Sequence, residues 1–140
     1  MDVLFRDGVV EKDELTFDDV FDEVTGSIVQ VRLSGLVTCY GGASIKVLKW
    51  MDTRPEDGGG IEVISVYYQY QAWQPATFGR REQSLVRYDQ AHGGRPHRHQ
   101  FDARGQQLSH EPLTFDTMPR LDAVIREAVD LVATLGVEQS

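Results

Sequence analysis

Two histidines, His97 and His99, stand either side of Arg98 in the stretch His97-Arg98-His99-Gln100-Phe101, which reads as a short strand. Side chains two apart in a strand project from one face at roughly 6 to 7 Å, so both imidazoles front the same surface. Such a pair has two chemical uses. With one or two carboxylates, Asp89 or Asp102, and with His92, it can hold a divalent metal ion whose other positions stay open to water or phosphate. Without a metal, a neutral and a protonated imidazole can act as base and acid in cleaving an RNA backbone. Arg87, Arg95 or Arg98 would then grip phosphate and steady the developing negative charge. A third reading asks for no chemistry: a His-x-His in a polar surface strand hydrogen-bonds to its neighbours. The residue types leave all three open.

Arg87-Tyr88-Asp89 lies just upstream. An Arg-Asp alternation at a strand end is often a surface ion pair of little energetic value. Its interest is position, because only the seven residues Gln90 to Pro96 separate it from His97, so all these groups can converge on one part of a sheet. Tyr67, Tyr68, Tyr70 and Trp73 invite base stacking, since aromatic side chains on a sheet are a common platform for single-stranded nucleic acid. Alternation divides them, Tyr67 and Trp73 against Tyr68 and Tyr70, so at least one pair belongs to the core. His110, near a probable strand end, takes a structural role by default.

The charge distribution singles out the same region. The chain has 140 residues and a formal charge of −8, which argues against a nucleic-acid partner. The total is uneven. Residues 1–25 carry nine acids against Arg6 and Lys12, while residues 79–104 carry six arginines against Glu82, Asp89 and Asp102. All four histidines fall within or just after that arginine-rich stretch. The acidic opening is either a solvated surface or a segment that folds back over the arginines and competes with an anionic ligand.

The elements that must position these groups follow from periodicity. Phe17, Val20, Phe21 and Val24 recur at helical spacing, with Thr16 and Asp19 in the form of a capping box, which predicts a short helix over Thr16 to Val24. From Ser27 the period changes to two and predicts a long strand towards Tyr40, a Gly41-Gly42 turn and a returning strand through Ile45 to Trp50. After the glycine-rich loop Pro55 to Gly60, Ile61 to Trp73 reads as a central strand, Gln83 to Asp89 as a fourth and His97 to Phe101 as a fifth. Pro119 to Leu135 places Leu121, Val124, Ile125, Ala128, Leu131, Val132 and Leu135 on one stripe, a helix to cover one sheet face. The expected class is α+β: an antiparallel sheet of about five strands, a C-terminal amphipathic helix packed on one face and a short N-terminal helix.

Length predicts a single domain over residues 1–140, divided into an acidic segment 1–26, a sheet 27–111 and a helix 119–135. The 41% apolar content, with 13 glycines besides, is enough for a core. No apolar run approaches the roughly 18 to 20 residues needed to cross a bilayer and the start lacks a signal-peptide layout, so the expected location is the cytoplasm. Cys39 is the only cysteine, which excludes an intrachain disulfide and a Cys-rich zinc site and fits a reducing compartment.

At Leu85-Val86-Arg87-Tyr88-Asp89-Gln90-Ala91-His92, followed by His97-Arg98-His99, the sequence resembles the TumE-type toxins of toxin–antitoxin modules. The resemblance extends over roughly residues 28–132, through the Gly42-Ala43-Ser44 turn, the tyrosine-rich strand and the closing helix. It departs at Gln90, where that family commonly has Asn, and in the acidic N-terminal segment. The resemblance implies a growth-inhibiting protein neutralised by an antitoxin partner, often one with a DNA-binding domain.

Two functional expectations follow. In the first, the chain is a toxin-like protein acting on RNA: His97 and His99 exchange protons or bind a metal with Asp89, His92 assists, Arg87, Arg95 and Arg98 contact phosphate beside Tyr88, and Asp89 orients a histidine. In the second, it is a non-enzymatic module whose arginine-rich face docks an acidic protein, such as its own antitoxin. A small-molecule enzyme finds no support, for there is no phosphate-binding glycine motif, nucleophile elbow or His-Glu-x-x-His.

Overall fold

The fold is described from a computed structural model over residues 8–90, 95–114 and 117–139. Eight strands form one antiparallel sheet: β1 (Val10–Asp13), β2 (Thr16–Phe21), β3 (Ile28–Cys39), β4 (Ser44–Pro55), β5 (Ile61–Gln74), β6 (Gln83–Asp89), β7 (His97–Phe101) and β8 (Gln107–Pro112). A long helix, α1 (Leu121–Gln139), follows β8. The order is β1-β3-β4-β5-β6-β7-β8, with β2 also paired to β3. β1 and β2 therefore share one edge, against opposite ends of β3.

This corrects the expected class. Among the described residues the molecule is mainly antiparallel β with one helix, and the five-strand α+β arrangement with an N-terminal helix is overturned. Thr16–Phe21 is a strand, in register with β3 from Thr16 opposite Ser34 to Phe21 opposite Ile28. The apolar spacing there fits a helix, but the two phenylalanines, valine and threonine suit a pleated surface equally well, and the unpaired half of β3 decides the contest. Asp22 then caps the turn into β3, its Oδ1 accepting from the backbone N–H of Val24 at 2.8 Å and Thr25 at 3.0 Å. Those bonds hold its carboxyl below the ordinary aspartate range.

Gly35 is where the edge segment crosses from β2 to β1. Its φ is +141°, and a Cβ would press into the Glu14 carbonyl and lie 2.9 Å from the Leu15 Cα. Only glycine allows that approach.

The core lies between the helix and the sheet. The paired row Val37, Ile45, Ala72, Val86 crosses four strands on the face that meets Val124, Ile125 and Ala128 of α1. The next row runs Gly35, Val47, Tyr70, Tyr88, Arg98, Glu111. Tyr70 is buried there, and burial, then the neighbouring Tyr68, drives its hydroxyl pKa upward. The opposite face carries no helix among the described residues. No described helix is long and apolar enough to cross a membrane.

Candidate functional site

Alternation and register together assemble one polar cluster on the helix-free face. One row crosses the sheet as Leu36, Lys46, Gln71, Arg87, His99, His110, and the adjacent row as Ser34, Leu48, Gln69, Asp89, His97, Pro112. β6, β7 and β8 thus deliver Arg87, Asp89, His97, His99 and His110 to neighbouring positions on one surface. The tight β7–β8 connection sets the last pairing, with Asp102 Oδ1 accepting from the N–H of Arg104 at 2.8 Å and Gln106 at 2.9 Å.

The cluster is ordered by contacts among its own members. Arg87 Nε lies 2.6 Å from Asp89 Oδ2, a charge contact whose direction is off the line of a hydrogen bond. The other Asp89 oxygen, Oδ1, is 3.6 Å from His99 Nε2. His99 Nδ1 is 3.1 Å from Gln107 Oε1. With that amide oxygen assigned to face the ring, Nδ1 is the donor. The second nitrogen of His99 is left to take or release a proton beside the Asp89 carboxylate. His110 stacks on His97, centroids 4.5 Å apart and planes 23° apart, and lies 4.6 Å from His99, while His97 and His99 are 6.3 Å apart.

Burial grades the three rings. The side chains of His99 and Asp89 retain 12% and 13% exposure and that of Arg87 retains 34%. His110 is exposed. His97 Nδ1 is buried with no hydrogen-bond partner. One imidazole, His99, is therefore held in a fixed orientation between a carboxylate and an amide, and another, His110, lies tilted 4.6 Å from it and faces water. That division suits proton transfer, in which an oriented group and a solvent-connected group exchange roles.

Not every residue proposed from sequence joins the cluster. Arg98 and Tyr88 are on the other face, beneath α1. Arg98 Nε donates to Tyr88 Oη at 3.0 Å, its Nη2 reaches Glu127 Oε1 at 2.9 Å, and the tyrosine hydroxyl donates to Glu127 Oε2 at 3.0 Å. Burial and the Glu127 charge push the Tyr88 hydroxyl up to about 12. Burial alone would lower the Arg98 pKa, but its bonds to Tyr88 and Glu127 prevail and raise it. This network fastens the helix to the sheet and offers nothing to an external phosphate. Arg95 is exposed in the approach to β7, and His92 lies outside the described residues. Asp102 shapes the β7–β8 turn. Among the described residues no group of three or more His, Cys, Asp or Glu side chains could hold a metal ion.

His110 is the member that sequence reasoning missed. The signal was the turn Asp102-Ala-Arg-Gly105, where Gly105 adopts a positive φ and returns the chain beside β7. Of the two readings of the acidic opening, a fold-back over the arginines is met among the described acids only where Glu11 shares a surface hollow with Arg80. β1 and β2 lie on the far side of β3, with β4, β5 and β6 between them and β7.

The same open face carries aromatic and cationic side chains. Trp50 and Tyr67 pack with centroids 5.0 Å apart, the Arg32 guanidinium sits 4.6 Å over the Trp50 ring, and exposed Lys46 shares the row of Arg87. Tyr68 and Tyr70 face the helix side, 5.9 Å apart and edge to face. Comparison of the chain with family models, with curated proteins and with solved structures finds no match in any of the three.

Proposed function

We propose that the protein is a toxin-like component of a toxin–antitoxin module that cleaves single-stranded RNA on the helix-free face of its sheet. The observation that supports this most is the cross-strand cluster of Arg87, Asp89, His99 and His110, an oriented imidazole beside an accessible one next to a guanidinium. In the step it suits, one imidazole takes the proton of a ribose 2′-OH, which attacks the adjacent phosphorus. The other imidazole protonates the departing 5′-oxygen, giving a 2′,3′-cyclic phosphate, and Arg87 offsets the charge on the phosphate oxygens. The Trp50–Tyr67 pair and Lys46 give bases and backbone somewhere to lie on the same face.

The test is incubation of purified protein with an end-labelled single-stranded RNA and its all-DNA counterpart, with and without EDTA. The expected result is RNA cleavage leaving cyclic phosphate ends, intact DNA, and loss of cleavage in His99→Ala and His110→Ala. Intact RNA would remove the reading. Cleavage that EDTA abolishes would replace proton transfer by a metal-dependent route. Docking of an acidic protein through an arginine-rich face has less support, because Arg87 and Arg98 occupy opposite faces of the sheet.

A further inference from the structure

The sheet is far from uniform in length. β3, β4 and β5 run for 12, 12 and 14 residues, whereas β6, β7 and β8 have 7, 5 and 6. The helix packs on β4, β5 and β6, starting near Lys49, Tyr68 and Tyr70. Beyond that point β2, the first half of β3, the second half of β4 and the first half of β5 project as an arm. On the face continuous with the core, the register places Phe17 beside Leu33, Val31 beside Met51, and Val63 beside Thr53. Phe17 is 67% exposed, Val63 58% and Ile61 71%, with Val29 exposed among them. Large apolar side chains gathered on one bare sheet face mark an interaction site rather than scattered surface residues.

The arm is also where the negative charge sits. Residues 16–33 and 50–67 hold eight carboxylates, Asp18, Asp19, Asp22, Glu23, Asp52, Glu56, Asp57 and Glu62, against Arg32 and Arg54. The register turns Asp18, Asp52 and Glu62, with both arginines, to the helix-free face, and leaves Asp19 on the apolar face and Asp22, Glu23, Glu56 and Asp57 in the turns at its ends. An anionic lipid surface would be repelled, and a second copy of the arm would bring like charges together.

We propose that the helix-side face of this arm is the docking surface for a basic amphipathic helix of a partner protein. Its apolar side would cover Phe17, Val29, Val31 and Val63, and its lysines or arginines would meet the carboxylates at the arm's rim. The surface lies at the other end of the sheet from His99 and on the other face, so a bound partner leaves the histidine cluster chemically intact. The proposal stands apart from the RNA-cleaving reading, and its test touches none of the cluster residues.

The probe is a synthetic 18-residue helical peptide with leucines on one face and lysines on the other, labelled for fluorescence anisotropy. Its counterpart with glutamates for lysines is the control. Saturable binding of the lysine peptide is expected, weakened at least tenfold by Phe17→Ser with Val63→Ser and weakened by raising NaCl from 50 to 500 mM, with no binding of the glutamate peptide. Both substituted side chains are largely exposed, so the melting temperature should hold. If the double variant does not fold, Glu56→Lys with Asp57→Lys in the exposed β4–β5 turn should weaken binding in the same way. Absence of saturable binding, or equal binding by variants and parent, would overturn the proposal. So would a dimer seen by light scattering that Phe17→Ser with Val63→Ser dissolves, because a second copy would then be the occupant.

Discussion

Arg98 and His99 are adjacent in the chain and serve opposite faces of the sheet: the guanidinium is bonded to Tyr88 and Glu127 beneath the helix, and the imidazole stands beside Asp89 on the open side. Their substitutions should separate cleanly. Arg98→Ala leaves Tyr88 and Glu127 without a shared partner and is expected to lower stability by about 2 kcal/mol, a fall in melting temperature of roughly 6 °C, with the cleavage step intact. His99→Ala should leave melting nearly unchanged and reduce cleavage by about 100-fold or more. Thermal melts paired with initial RNA-cleavage rates check both, and a reversed pattern would place the chemistry under the helix.

Asp89→Asn keeps the size of the side chain and removes the charge that faces both Arg87 and His99. Cleavage should fall by about tenfold or more, as expected when a general acid–base group loses its orienting carboxylate. A pH–rate profile is the informative readout, because a purely structural aspartate would lower the amplitude without moving the inflections.

Stability should decline on the alkaline side through Tyr88. Its hydroxyl is ordinarily near 10 and reaches about 12 in the fold, mainly by burial and then by the Glu127 charge. The unfolded chain therefore ionises first as pH rises. The stabilisation is complete below about pH 10 and is lost between about pH 10 and 12, on the order of 2 kcal/mol. Urea unfolding at a series of pH values measures it. Tyr88→Phe should be less stable below about pH 10 and show a shallower alkaline fall; an unchanged slope would remove Tyr88 as the cause.

Cys39 is buried at the end of β3, and burial pushes its thiol up to about 11 from 9.0. At pH 8 its thiolate fraction is about 100-fold below that of an ordinary cysteine, before steric shielding is counted. Reaction with a disulfide reagent should be slow in buffer and immediate in denaturant. Rapid native reaction would show β3 opening at that end.

Gly35→Ala tests the crossing of β2 into β1. The added methyl meets the backbone of Glu14 and Leu15 rather than a flexible side-chain tip, so the edge segment must lift away. A loss of about 3 kcal/mol is expected from a clash of this kind, read by denaturant unfolding, and a neutral result would mean that the edge segment shifts freely.

The site was legible in outline from residue types and period. His97 with His99 and Arg87 with Asp89 each stand two apart, so each pair keeps to one face whatever the sheet becomes. The same rule separates Arg98 from His99 and Tyr88 from Arg87, yet their chemistry alone suggested a shared role. His110 could not be joined to the pair without the β7–β8 register, which rests on how a four-residue turn brings the strands back together. The nine residues from Thr16 to Val24 read as a helix because Phe17, Val20, Phe21 and Val24 satisfy a helical spacing, while the same residues also suit a strand.

The chain by itself determined which side chains share a face, because pleat and helical period are local steric properties of consecutive residues. It also determined β3, β5 and the closing helix, whose patterns are long, and the first half of β4 as far as Trp50. Only the tertiary structure decided that β2 is a strand, that α1 leaves one sheet face open, and that three histidines and an Arg–Asp pair meet there. Those outcomes depend on which edge needs a partner and which register closes, and such non-local pairings carry no mark in any short window of residues.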